Sequence, residues 1–227
     1  GEAGIAVFAP GAAKTIGLAV AGSAAGQTVG SAYEKAAAIN AASVPGLTAT
    51  ATNTIQLNAA ATTGTAAGDT FSLRINGVDV FASYDQNASG VLTAQQLTDG
   101  INAQATNTGV SATLVGGSLL LTAADGRDIA IGQTLGGAAG GGLTAGTLTT
   151  NNGVTYRAGQ ISTVANATTN STNAAAVNGG TVTLSATDNI VVTGDGAILG
   201  FASANTTIAK DTTTLASQNV RTVGAAN

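Results

Sequence analysis

The stretch TFSLRINGVDVFA, residues 70–82, sets the tightest limit on what this chain can fold into. Phe71, Leu73 and Ile75 alternate with Ser72 and Arg74, the period of a strand with one buried face. Asn76-Gly77 follows, the strongest short hairpin signal, because both residues accept the positive φ of a type I′ turn. Val78 and Val80 then carry the return strand. The next stretch changes period: Ala94, Leu97, Ile101 and Ala105 recur at helical spacing, with Gly109 where a helix stops. Residues 110–131, VSATLVGGSLLLTAADGRDIAI, read as three short strands with turns at Gly116-Gly117 and Asp125-Gly126. The expected unit is hairpin, helix, hairpin.

The rhythm recurs. TIGLAVAG (15–22) matches FSLRINGV, pairing Ile16, Leu18, Val20 and Gly22 with Phe71, Leu73, Ile75 and Gly77. Ile39-Asn40-Ala41 matches Ile101-Asn102-Ala103, and GGTVTLSATDNIVV (179–192) matches GGSLLLTAADGRDIAI (116–131) with a short deletion. Two fairly complete copies and one partial copy are expected. The fold class expected is α+β and β-rich, with repeated hairpin–helix–hairpin units, short helices, and one unit inserted into a discontinuous domain. Boundaries fall where the chain is small and polar, near 62–68 and 140–150. That gives a discontinuous β-rich domain of residues 1–62 plus 146–227 and an inserted domain of residues 63–145. GGAAGGG (136–142) and TTNNG (149–153) read as connections, and NATTNSTNAAAVNGG (166–180) as a loop or poor helix.

Composition narrows the chemistry. In 227 residues there is no His, Cys, Met or Trp, and only 8% are charged, where globular proteins average about a quarter. Imidazole bases, thiol nucleophiles, Ser-His-Asp triads and the usual zinc ligand sets are therefore absent. The seven basic residues, Lys14, Lys35, Lys210, Arg74, Arg127, Arg157 and Arg221, are scattered in a chain of net charge −4. They form no phosphate-tracking stripe, so nucleic acid is not an expected partner. No apolar run approaches the roughly 18 residues of a membrane helix, so no membrane insertion is expected. The opening GEAGIAVFAP, without Met, leads us to expect a piece of a longer chain.

Four stretches invite functional readings. Asp85, Asn87, Ser89 and Gly90 fall where an EF-hand loop places ligands and its turn. The bidentate Glu of the twelfth position is replaced by Gln96, and a strand precedes the loop. Thr93 and Gln96 read better as a helix capping box, so calcium at Asp85, Asn87 and Ser89 is not the favoured reading. Gly194, Gly196 and Gly200 follow an apolar strand as in a dinucleotide-binding turn, but the Thr-rich sequence after them is a poor phosphate-binding helix, and a hairpin is expected. Asp125 and Asp128 resemble a carboxylate pair for glycoside hydrolysis, yet they flank a tight turn with Arg127 between them and no Trp platform nearby. Asn-x-Ser/Thr occurs at Asn87, Asn166, Asn170 and Asn205, a triplet common by chance in so Thr- and Asn-rich a chain. No catalytic residue, cofactor or metal is expected.

INGVDV, a helix ending GINAQ, and then GVSATLVGGSLLLTAADGRDIAI resemble the repeat of the outer, variable region of bacterial flagellins and of related hook-associated and filament-cap proteins. The likeness covers residues 15–58 and 70–131, with an echo at 179–192. It implies β-rich domains projecting from an extracellular flagellar filament, with other filament subunits as partners through coiled-coil helices that this stretch lacks. Host surfaces or antibodies would meet the exposed face. The metalloprotease found inserted in some flagellins needs His-Glu-x-x-His, which a chain without His cannot supply. The resemblance implies a structural protein and not an enzyme; the alternative is a repeat module of a secreted adhesin or a cap-like binding protein.

Overall fold

A computed structural model describes residues 5–8, 13–147, 149–151, 154–165, 175–193, 206–210 and 218–221. The chain opens with β1 (Ile5–Phe8), β2 (Ala13–Ile16), α1 (Ala32–Ala41) and the long strand β3 (Leu47–Thr63). There follow β4 (Thr70–Ile75), β5 (Val78–Asp85), α2 (Gln86–Ser89), α3 (Ala94–Ala103), α4 (Ala105–Thr108), β6 (Ser111–Val115), β7 (Ser118–Ala123), β8 (Ile129–Gly136) and β9 (Gly140–Thr144). The return path is β10 (Thr149–Asn151), β11 (Val154–Ala158), β12 (Ser162–Val164), β13 (Ala176–Asn178), β14 (Thr181–Ala186), β15 (Ile190–Thr193), β16 (Thr206–Ile208) and β17 (Gln218–Arg221). The molecule is β-rich, with short helices laid on its sheets.

β3 is the spine. Its residues 47–52 pair antiparallel with β14, residues 53–58 with β7, and residues 58–63 with β9. Two hydrophobic cores meet along it. One is formed by Ile16, Ala32, Ala36, Ile39, Val44 and Ala49 with Val182, Leu184, Ala186, Ile190, Val192 and Ile208 from the far end of the chain. The other begins at Ile55 and Leu57 and gathers Phe71, Leu73, Ile75, Leu97, Ile101, Leu119, Leu121, Ile129 and Ile131. Packing changes from one core to the other inside β3, between Ala51 and Ile55.

Local chemistry explains the clearest elements. Asn76 and Gly77 carry φ of 51° and 80°, the turn that closes β4 onto β5. Thr93 caps α3 by accepting the N–H of Gln96, and Gln96 Oε1 accepts the N–H of Thr93 at 2.9 Å, a complete capping box. Leu97 and Ile101, one helical turn apart, are buried beneath it. Ser31 caps α1 in the same way through the N–H of Glu34.

Each of these helices carries an asparagine near its end that reaches across to a strand. Asn40 Nδ2 donates to the carbonyl of Ala49 at 2.8 Å, and the Ala49 N–H donates to Asn40 Oδ1 at 2.9 Å. Asn102 does the same to Ala112, at 2.9 and 2.8 Å. The side-chain amide thus imitates a neighbouring strand. Two hydrogen bonds at about 0.5–1.5 kcal/mol each predict that Asn40→Ala and Asn102→Ala will each cost about 1–3 kcal/mol in urea unfolding. Asn→Asp at either position should cost at least as much, since a carboxylate would face the carbonyl it must bond.

Several expectations fail locally. The alternation through Leu18 and Val20 is not a strand: β2 ends at Ile16, and these side chains are 51% and 73% exposed. Among the described residues β2 pairs with β1 alone, over Ala13–Ile16, and no described strand pairs with the residues beyond it. GGAAGGG is no mere connection, because β8 runs to Gly136 and β9 starts at Gly140 as a partner of β3. Thr149–Asn151, also read as a connection, is β10 against β11. Of residues 166–180, Ala176–Asn178 forms β13 against β8, and 166–174 lie outside the described residues.

Candidate functional site: the polar joint between the two cores

At the crossover in β3 the inward position is held by Asn53, which is buried. Its Nδ2 donates to the carbonyls of Arg127 at 2.9 Å and Asn178 at 2.8 Å. Its Oδ1 receives Arg157 Nη2 at 2.6 Å, and the same guanidinium nitrogen donates to the carbonyl of Gly179. Asn178 extends the network: Oδ1 accepts the N–H of Gln160 at 2.7 Å, and Nδ2 donates to the carbonyls of Ile129 and Gln160, both at 3.0 Å. These bonds tie β3, β8, β11, β13 and the 125–128 turn together where, among the described residues, the two apolar clusters remain separate.

A second set of contacts straps residues 22–28 onto that turn. Arg127 Nη1 donates to Ala25 O at 2.9 Å, the Asp128 N–H to Gly26 O at 2.8 Å, and Thr28 Oγ1 to Asp128 Oδ2 at 2.5 Å. The Tyr33 N–H reaches Gly126 O at 3.1 Å. Gly126 has φ of 81°, and a β-carbon there would lie 2.3 Å from Ala51 Cβ, so the close crossing demands glycine.

The two aspartates of the turn do different work. Asp125 pairs with Arg127 Nη2 at 2.7 Å. Burial pushes the Asp125 carboxyl up, but hydrogen bonds and charge from Arg127, with a hydrogen bond from Gln27, hold it below the ordinary range. Asp128 is only 6% exposed. There burial prevails, raising its pKa against the Thr28 hydrogen bond and the charge of Lys35. Burial likewise lowers Lys35, offset in part by Asp128. Asp125 is thus paired with Arg127, and Asp128 is enclosed under the strap.

These shifts fix a pH dependence. Asp128 holds its proton more tightly folded than unfolded, so its contribution favours the fold at low pH and is lost as pH rises through the raised value. Asp125 runs the other way, as does Asp69, whose carboxylate is held down chiefly by the N–H groups of Ala66 and Ala138. Their contributions are present above the ordinary Asp range and lost as pH falls through the lowered values. Urea midpoints between about pH 3 and 7 should show a maximum between the two limbs. Asp128→Asn should flatten only the limb on the neutral side; an unchanged limb would refute the assignment.

The other sequence candidates stand elsewhere. Asp85 is the N-cap of α2: Oδ1 accepts the N–H groups of Asn87 at 2.9 Å and Ala88 at 3.1 Å, and Asn87 and Ser89 are exposed. Among the described residues no three His, Cys, Asp or Glu side chains gather as metal ligands. Gly194, Gly196 and Gly200 lie outside the described residues, as do Asn166, Asn170 and Asn205. Among the described residues, no helix is long and apolar enough to cross a membrane.

Asn53, Asn178, Arg157, Thr28 and Lys35 were not singled out from sequence. Asn53 did carry a signal: it shares the strand phase of Ala49, Ala51, Ile55 and Leu57, a polar residue on an otherwise apolar face. No protein-family model matches this chain, and no curated protein matches it either.

Proposed function

We propose that this chain is a non-catalytic, surface-projecting piece of a bacterial flagellar filament subunit, lying outside the cell and exposed to neighbouring subunits, host surfaces and antibodies. The observation carrying this reading is the matched pair of helix ends. Ile39-Asn40-Ala41 and Ile101-Asn102-Ala103 each bury the Ile and use the Asn for the same two-bond bridge to the next strand. We read these two helix ends as marks of the repeated unit that the resemblance to flagellin outer regions implies. A rigid projection also accords with the first and last described strands: β1 pairs with β15 and β17 with β14, consecutive strands whose side chains fill one core. Abundant Thr and Asn with few charges give a hydrated surface without strong electrostatic partners.

The test is to shear filaments from the bacterium carrying this sequence, digest them with trypsin, and image whole cells with gold-labelled antibody against the folded protein. Peptides bounded by Lys35, Arg74 and Arg127 should dominate the filament fraction, with label along the filament length. Label confined to the tip would favour a cap-like protein. Label on the cell wall with bare filaments would favour the adhesin reading.

A further inference from the structure

Two side-chain oxygens, one from the strap (Gln27) and one from α1 (Glu34), approach the same glycine. A β-carbon built on Gly22 would lie 2.2 Å from Gln27 Oε1 and 2.5 Å from Glu34 Oε1, so both converge on one point beside the Gly22 backbone. Both are acceptors. Gln27 Oε1 receives the N–H of Ala24 at 3.2 Å. Glu34 is only 7% exposed, and its Oε1 is shut off from solvent with no hydrogen-bond donor. Neither ion pair among the described residues, Arg74–Asp79 and Arg127–Asp125, involves it. A buried carboxylate oxygen set beside an amide oxygen is costly unless something positive lies between them.

The segment around Gly22 closes on itself beside these two oxygens. Gly22 N–H donates to Gln27 O at 3.0 Å and Gln27 N–H to Ala24 O at 3.1 Å, closing the segment on itself. The carbonyls of Ala21, Gly22 and Ser23 belong to the same short loop. Every one of these ligands is a hard oxygen, and the chain has no thiol or imidazole to compete. Magnesium requires a near-ideal octahedron, whereas calcium accepts irregular oxygen shells completed by water. We propose that Glu34 and Gln27, with carbonyls of residues 21–23, form a weak calcium site. Bound calcium would stiffen the strap, because Ala25, Gly26 and Thr28 of the same segment hold the 125–128 turn.

Terbium luminescence tests this with the chain's own reporters. Tyr33 adjoins Glu34, and Tyr84 adjoins Asp85, the loop that a sequence reader would choose first. Excitation of tyrosine in the intact protein should give saturable terbium emission that calcium displaces, with a calcium Kd on the order of 10⁻⁴–10⁻³ M. Emission should fall with Tyr33→Phe and not with Tyr84→Phe. Glu34→Gln should weaken binding at least about tenfold, Gln27→Ala should weaken it less, and Asp85→Asn should leave it unchanged. Calcium should raise the Tm of the native protein and of Asp85→Asn, but not of Glu34→Gln. Should the calcium effect persist in Glu34→Gln, vanish in Asp85→Asn, or be missing from the native protein at about ten times the Kd above, the site is refuted and a water bridges the oxygens.

Discussion

Phe71→Ala should lower the free energy of unfolding by about 3–5 kcal/mol. Phe71 is fully buried in β4, which lies between β5 and β8. Its ring meets Phe81 edge-on, centroids 6.0 Å apart at 62°, and Phe81 meets Tyr84 at 6.0 Å and 81°. The chain has only four Phe and three Tyr, and among the described residues this aromatic cluster sits in a core otherwise built of Leu, Ile, Val and Ala. Truncation removes the apolar area of the ring and leaves a cavity that paired strands on both sides cannot close. Phe71→Leu, nearer in volume, should cost less than about half as much. The measurement is the urea midpoint at unchanged m. A loss under about 1 kcal/mol for the alanine variant would mean the ring is not the packing centre described. For a domain with about 5–15 kcal/mol of total stability, the expected loss is a large fraction.

The same region was the most legible in the sequence, and for a physical reason. Asn76-Gly77, the Thr93–Gln96 box and Gly116-Gly117 act over a few residues, so their chemistry is written beside the structure it causes. The spine was not legible in this way. β3 owes its length to three successive partners, β14, β7 and β9, drawn from residues 118–186, far along the chain from β3 itself. Local alternation cannot report such partners. GGAAGGG misleads for the converse reason: glycine weakens a strand taken alone, but beside β3 the bare backbone of β9 fits a close approach, and Leu143 at its end is fully buried.

The candidate site divides similarly. That Asp85 serves a helix end could be read from its neighbours. The strap could not, because Thr28 meets Asp128 across a hundred residues, and Gln27 and Glu34 meet only after the loop has closed around Gly22. In a chain with 8% charged residues, a charge buried at a joint between cores is where sequence periodicity breaks without a local cause.

Asn53→Ala should cost about 3–5 kcal/mol and, beyond that, uncouple the two cores. Asn53 supplies three hydrogen bonds at the crossover: two donated to Arg127 O and Asn178 O, and one accepted from Arg157. Alanine would leave two carbonyls and part of a guanidinium facing a small void, and unsatisfied buried groups cost more than the bonds themselves gain. Apolar packing cannot compensate, since the core residues on either side belong to separate clusters. The native protein should therefore melt in one calorimetric transition, with the joint transmitting cooperativity through β3. Asn53→Ala should melt in two, the half containing Phe71 and Leu97 retaining most of its enthalpy. Asn53→Asp restores an acceptor for Arg157 but no donor for the carbonyls, so it should recover less than half of the loss. A single transition merely shifted to lower temperature would show that β3 alone couples the cores and that the polar joint is dispensable to cooperativity.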